Sequence, residues 1–102
     1  GEKRLLMVQA SIDYADGNYR AVIAGLSETA DVLLAGDTDQ YPPFFEEMLF
    51  YLAASYEQIE PPDMASACPL WMVYAFVNVN ESSAGWQIRQ AAAQQYHNAC
   101  VL

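Results

Sequence analysis

The stretch YRAVIAGLSETADVLLAG, residues 19–36, is the most regular part of the sequence. Its apolar side chains recur every three or four residues, and its charged side chains fall on the opposite side. This spacing predicts an amphipathic helix over residues 19–35 whose apolar stripe faces a core. Gly36 follows at the position where a left-handed glycine commonly ends a helix. The aligned apolar residues are Tyr19, Val22, Ile23, Leu26, Ala30 and Leu33, with Arg20, Glu28 and Asp31 opposite.

Turn-forming residues divide the chain into five segments of helical length. The fourth segment is apolar on nearly every side and is also compatible with a strand. We favour a helix there because its neighbours read as helices and an isolated strand has no partner. The sequence therefore predicts an all-α fold: a small antiparallel helical bundle in a single domain spanning residues 1–102. The predicted helices cover about 2–16, 43–59, 69–79 and 83–99 besides 19–35, and Pro43 and Pro69 occupy first-turn positions.

The composition excludes a disordered acidic tail. The 102 residues carry 13 acidic and 4 basic side chains, a formal net charge of -9, yet 54% are hydrophobic and 13% aromatic. Such a chain can bury enough apolar surface to fold. The negative charge disfavours binding to nucleic acids and to anionic membranes. The sequence contains no run of 18 apolar residues, the length needed to cross a bilayer.

The acidic residues are concentrated in the middle of the chain. No Lys or Arg lies between Arg20 and Arg89, while ten acidic residues do. One interpretation is a solvated surface that keeps the protein soluble. The other is electrostatic steering towards a partner with a basic surface.

Several predicted helices carry more apolar surface than one small core needs. The first helix has a core-facing stripe of Leu5, Val8, Ile12 and Ala15. A surplus stripe of Leu6, Met7, Ala10 and Tyr14 lies roughly opposite. The third helix places apolar rings beside glutamates, away from its core side. A surplus of this kind predicts a homodimer, a hetero-complex, or both. The candidate protein-binding residues are Leu6, Met7, Tyr14, Glu46, Phe50, Tyr51, Trp71 and Met72; the rings among them are typical of binding hot spots.

The two cysteines, Cys68 and Cys100, are too few for a disulfide scaffold. They could bond to each other only if the fold brings them together, which the sequence alone does not decide. We interpret them as buried or partly buried thiols in a reducing compartment, which predicts a cytoplasmic protein. His97 precedes Cys100 by three residues, so a Cys-His nucleophile pair or a metal site with Cys68 is one alternative. The favoured interpretation is a histidine beside a helix C-terminus, with no metal and no cofactor.

No catalytic motif is present. Asp37-Thr38-Asp39 resembles the start of a calcium loop, but Pro42 and Met48 occupy the positions of its glycine and closing acid. Neither a phosphate-binding loop nor a hydrolase signature occurs. The sequence predicts that the protein is not an enzyme.

Part of the chain resembles a tetratricopeptide hairpin. Ala10 with Gly17-Asn18-Tyr19 is similar to that family's small residue and turn, and Ala53 with Tyr56 repeats part of the pattern. The family's early Trp and closing Pro are missing or displaced. The resemblance implies helical hairpins and no functional residues.

Two functions fit these features. The first is a protein-protein interaction module that binds and inhibits or sequesters a protein partner; in size, charge and helical character the chain resembles antiactivators and immunity proteins. Apolar anchors would occupy the partner's surface while the acidic rim sets orientation. The alternative is a helical-hairpin chaperone or scaffold that binds an amphipathic segment in a groove of small residues, namely Ala21, Gly25, Ala53 and Ala54.

Overall fold

A computed structural model describes residues 2–36 and 44–76, with the side chains of 5–36 and 44–74, together with Ala91, Gln94, Asn98 and Cys100. Residues 2–36 and 44–76 form four helices and no strand, which confirms the all-α prediction for this part of the chain. The helices are α1 (Glu2–Ala15), α2 (Tyr19–Ala35), α3 (Phe45–Gln58) and α4 (Met64–Phe76). Most of the predicted fifth helix lies outside the described residues.

The turn between α1 and α2 depends on Gly17. This residue has φ +77°, a left-handed conformation that L side chains rarely adopt. The Gly17 amide donates to Tyr14 O at 3.1 Å, and the Asn18 amide donates to Asp13 O at 2.8 Å. These two bonds form a Schellman motif, which ends α1 and allows α2 to begin at once. Gly36, by contrast, is extended with φ -69°, so the predicted left-handed glycine at the end of α2 is wrong.

The α4 helix begins earlier than the sequence pattern predicts because Asp63 caps it. The Asp63 carboxylate accepts from the Ser66 amide at 3.1 Å and from the Ser66 hydroxyl at 2.8 Å. An N-cap of this kind satisfies an amide that has no partner within the helix. Pro69 therefore lies inside α4 and not in its first turn.

The core lies around α3, which packs against each of the other three helices. Burying a side chain the size of Leu or Phe contributes about 1.5–3 kcal/mol, and α3 buries four such residues. The α2 helix buries Val22, Leu26 and Ala30 of its predicted stripe and half-buries the other three residues, and α1 and α4 cover the remaining sides. The buried apolar residues are Met7, Ala10, Val22, Leu26, Ala30, Phe45, Met48, Leu49, Leu52, Ala53, Ala54, Ala67, Leu70, Trp71 and Tyr74.

The face of α1 that meets the core is the reverse of the predicted one. Met7 and Ala10 are buried, whereas Leu5, Val8 and Ile12 are 69%, 50% and 49% exposed. Both stripes are apolar, so periodicity alone does not distinguish them. The stripe that turns inward continues to Tyr14, whose ring contacts aromatic rings on α2 and α3.

Cys68 and Cys100 form a disulfide, with their Cα atoms 5.7 Å apart. The expectation of two separate thiols is therefore wrong. The bond joins α4 to a residue 32 positions later, a proximity that only the tertiary fold creates.

Candidate functional site

Six aromatic side chains from all four helices form a continuous cluster. Phe50 is at its centre, with ring centroids 6.1 Å from Tyr14, 5.8 Å from Tyr51, 5.9 Å from Trp71 and 6.2 Å from Tyr74. Tyr14 also contacts Tyr51 at 5.3 Å and extends the cluster to Tyr19 at 5.5 Å. The rings meet edge-on or tilted, the arrangement in which ring quadrupoles attract. Trp71 and Tyr74 are buried at the base, while Tyr14, Phe50 and Tyr51 are half-buried at the surface.

Three glutamates of α3 border this cluster. The Glu57 carboxylate accepts a hydrogen bond from Trp71 Nε1. Burial and then Glu46 and Glu47 raise the pKa of Tyr74 to about 12 from its ordinary value of 10.0. The negative charges therefore lie close to the rings. We call the surface formed by Tyr14, Phe50 and Tyr51 with Glu46, Glu47 and Glu57 the acidic aromatic face.

The tyrosines of this face keep their protons. Burial, followed by the neighbouring Tyr19, Tyr51 and Glu57, raises the pKa of Tyr14. Burial and then Glu47 raise the pKa of Tyr51. Because a neutral phenol both donates and accepts hydrogen bonds, the face offers polar contacts as well as ring surface.

Negative charge dominates the whole described surface. Among the side chains of residues 5–36 and 44–74, nine are acidic and Arg20 is the single Lys or Arg. The Arg20 Nη2 donates to Glu60 O at 3.1 Å, which ties α2 to the loop between α3 and α4. The guanidinium of Arg20 therefore contacts that loop and helps to hold it against α2. The charged side chains described around the acidic aromatic face are thus all carboxylates, an arrangement that favours a cationic group.

The structure brings together five of the eight candidate protein-binding residues. Tyr14, Phe50, Tyr51 and Trp71 belong to the aromatic cluster, and Glu46 is close enough to Tyr74 to raise its pKa. The pattern that placed rings beside glutamates on the third helix therefore identified a real juxtaposition. Leu6 packs against the core, and Met72 is 43% exposed on α4.

Two candidate residues cannot contact a partner in this conformation. Met7 is 7% exposed and Trp71 is 1% exposed, so both belong to the core of one chain. The prediction that Met7 and Trp71 are surface anchors is therefore wrong for this conformation of the chain. The cause is that α1 turns its Met7 stripe inward and that α4 turns its largest side chain towards α3. Phe50, with four ring neighbours, also has a structural role.

An apolar stripe that the sequence analysis assigned to the core is exposed instead. Leu5, Val8 and Ile12 lie on the outer side of α1 at helical spacing. Isolated exposed apolar side chains are common, but three on one helix face form a patch of the kind that contacts other surfaces. The sequence contained this signal as the first of the two α1 stripes.

No group of three or more metal-ligating side chains occurs within the described part of the chain. With Cys68 and Cys100 joined in a disulfide, neither sulfur is a thiolate, so a Cys-His pair or a metal site through them is excluded in this state. His97 and the Asp37–Asp39 segment lie outside the described residues. None of the helices in the described ranges is long and apolar enough to cross a membrane.

Comparison of the chain with protein-family models, with curated proteins and with solved structures finds no match. The likeness to tetratricopeptide hairpins accordingly stays a resemblance between helical hairpins.

Proposed function

We propose that this protein is a non-enzymatic interaction module that binds a partner protein with a basic surface and so inhibits or sequesters it. The observation that carries the proposal is the acidic aromatic face: half-buried rings of α1 and α3 bordered by three glutamates, on a surface with nine acidic and one basic described side chains. Rings beside carboxylates suit Lys and Arg side chains in particular.

Two physical effects would act in sequence during binding. The negative surface first raises the rate of encounter with a basic partner, an effect that salt weakens. After contact, the partner's cationic groups lie over the faces of Tyr14, Phe50 or Tyr51, each such contact contributing about 0.5–1 kcal/mol at an exposed site. The glutamates pair with the same cations. Occupation of a basic functional surface on the partner would block whatever else binds there.

Self-association is part of the proposal. The outer stripe of α1, Leu5, Val8 and Ile12, is the exposed apolar surface available for a homodimer. This outer stripe takes the place of the predicted Leu6 and Met7 stripe as the dimer surface, because Leu6 and Met7 pack into the core of the single chain. Leu5, Val8 and Ile12 are on the outer side of α1, whereas the Tyr14 ring turns towards α3. A dimer through the outer stripe would therefore leave the acidic aromatic face open.

The alternative of a chaperone or scaffold has less support. It requires an open groove lined by small residues, but Ala53 and Ala54 are buried in the core. The cytoplasmic location also stays a prediction, and the Cys68–Cys100 disulfide argues for an oxidising compartment instead.

The test combines affinity capture from the native host with kinetics on the purified partner. Glu47 on the acidic aromatic face and Glu28 on α2 are both exposed, so Glu47→Lys and Glu28→Lys change the net charge equally. We expect Glu47→Lys to slow association about tenfold more than Glu28→Lys, because its charge is reversed at the contact. We also expect wild-type association to slow as salt is raised and the partner's own activity to fall on titration.

Equal effects of the two variants would show that only net charge matters, and the acidic aromatic face would lose its assignment. Val8→Asp separates the second surface. It should abolish self-association in light scattering while leaving partner association unchanged; a wild-type chain that is monomeric at high micromolar concentration would remove the homodimer.

A further inference from the structure

A cleft separates α2 from α4 on the side of the protein where both pack against α3. The two helices share no extensive contact with each other, and a cavity of about 360 Å³ opens between them. The cavity exists because the α2 side chains that line it, Ser27 and Ala30, are small. Pro69 of α4 lines the opposite wall. Its volume falls within the range of small-molecule binding sites. We call it the α2–α4 cleft.

The floor of the α2–α4 cleft is apolar and its rim is polar. Ala30, Leu52 and Leu70 line the floor and are each less than a tenth exposed. Ser27 and Tyr56 also line the cleft and are partly exposed, so we assign them to the rim. An apolar floor with a few polar groups at one edge is the usual form of a site that orients a small amphiphilic ligand.

One carboxylate gives the rim its charge. Asp31 is exposed and lines the cleft one helical turn after Ser27. Its charge reaches the Tyr56 phenol: burial first, then Asp31 and Asp63, raise the pKa of Tyr56. Arg20, the single Lys or Arg among the described side chains, donates to Glu60 O on the loop after α3. The cleft therefore has a negative rim above an apolar floor.

We propose that the α2–α4 cleft binds a small cationic amphiphile, an apolar body of about ten heavy atoms that carries an ammonium group. The apolar body lies on Ala30, Leu52 and Leu70, and the ammonium pairs with the Asp31 carboxylate. The Ser27 hydroxyl oxygen accepts a further hydrogen bond from the ammonium. This site is distinct from the acidic aromatic face and does not depend on the function proposed for it.

The probes are three compounds of the same shape: 3-phenylpropylamine, 3-phenylpropanol and 3-phenylpropionate. Each is titrated into the uniformly ¹⁵N-labelled, disulfide-bonded chain, and amide shifts are followed by NMR. A ligand of about ten heavy atoms at ordinary efficiency has a dissociation constant of about 1 mM, which we expect for the amine. The alcohol should bind about tenfold more weakly and the carboxylate more weakly still. The largest shifts should fall on the residues that line the cleft.

Two variants and a matched control separate the charge from the cavity. Asp31→Asn should reduce the affinity for the amine to that for the alcohol and leave the alcohol unchanged. Ser27→Leu, which fills the space, should weaken binding of the amine and the alcohol at least tenfold with the far-UV spectrum preserved. Glu28→Gln removes a neighbouring exposed charge and should change nothing.

Three results would overturn the proposal. The first is equal affinity for the amine and the carboxylate. The second is an effect of Glu28→Gln on amine affinity as large as that of Asp31→Asn. The third is amide shifts that lie away from the cleft, or no shifts at an amine concentration of about 20 mM, 20-fold the expected dissociation constant.

Discussion

Trp71→Phe tests whether the largest side chain of α4 belongs to the core or to an interface. Trp71 is 1% exposed, its indole is 5.9 Å from Phe50 and 6.0 Å from Tyr74, and its Nε1 donates to Glu57. The substitution retains one ring but removes three heavy atoms and the N–H donor. A hydrogen bond to a charged group contributes about 1.5–3 kcal/mol; we take the lower value because Glu57 is half-exposed and water can replace the indole.

The lost buried atoms cost about another 1–2 kcal/mol, so the expected loss is about 3 kcal/mol. For a domain of this length, such a loss lowers the melting temperature by about 12–15 °C. Urea unfolding followed by far-UV circular dichroism measures it, with the slope against urea unchanged. Met72→Ala, at the neighbouring 43% exposed position, is the control and should change stability by about 0.5 kcal/mol or less.

A double-mutant cycle with Glu57→Gln isolates the hydrogen bond. The double variant should lose less than the sum of the two single losses, with a coupling of about 1 kcal/mol. A Trp71→Phe chain as stable as the wild type but with altered self-association or partner binding would refute this reasoning. The original interface assignment of Trp71 would then stand.

The backbone and the pH dependence give two further predictions. A Cβ at Gly17 or at Gly25 meets no atom within 4 Å, but Gly17 has φ +77° while Gly25 is helical. Gly17→Ala should therefore destabilise the protein by about 1–2 kcal/mol and Gly25→Ala stabilise it by about 0.8–1.0 kcal/mol in urea unfolding; a change of the same sign at both would contradict the assigned turn. The pKa of Tyr74 is raised from 10.0 to about 12, so its contribution to stability is complete below pH 10 and is lost as the pH rises through about 12. The free energy of unfolding of Tyr74→Phe should fall less steeply over that interval than that of the wild type, and identical slopes would be inconsistent with the raised pKa.

The helices that could be predicted from the sequence are those where local signals agree. The α2 prediction of 19–35 matches Tyr19–Ala35 because periodicity, charge placement and the preceding turn indicate the same limits. The start of α4 was missed although a local signal existed: Asp63 precedes Ser66 by three residues, as an N-cap requires. The sequence pattern favoured a start at Pro69, because proline is tolerated in the first turn of a helix. The Asp63 cap instead starts the helix about one and a half turns earlier.

The orientation of α1 and the disulfide had no such local signal. Both stripes of α1 are apolar, and the stripe that turns inward is decided by the rings that Tyr14 meets on other helices. Likewise, Cys68 and Cys100 meet through the tertiary fold, and their spacing along the chain carries no information about it. Residues that are far apart in sequence decided both outcomes.

The excess of apolar residues over the needs of one core therefore divides into two parts with different roles. The aromatic residues of α1, α3 and α4 largely cover one another, which leaves half-buried rings beside glutamates. The aliphatic residues Leu5, Val8 and Ile12 remain exposed on α1. Rings beside carboxylates suit a cationic surface, whereas an aliphatic stripe suits another apolar one. Because the two surfaces favour partners of different chemistry, the proposed function predicts that self-association through α1 and capture of a basic partner do not compete.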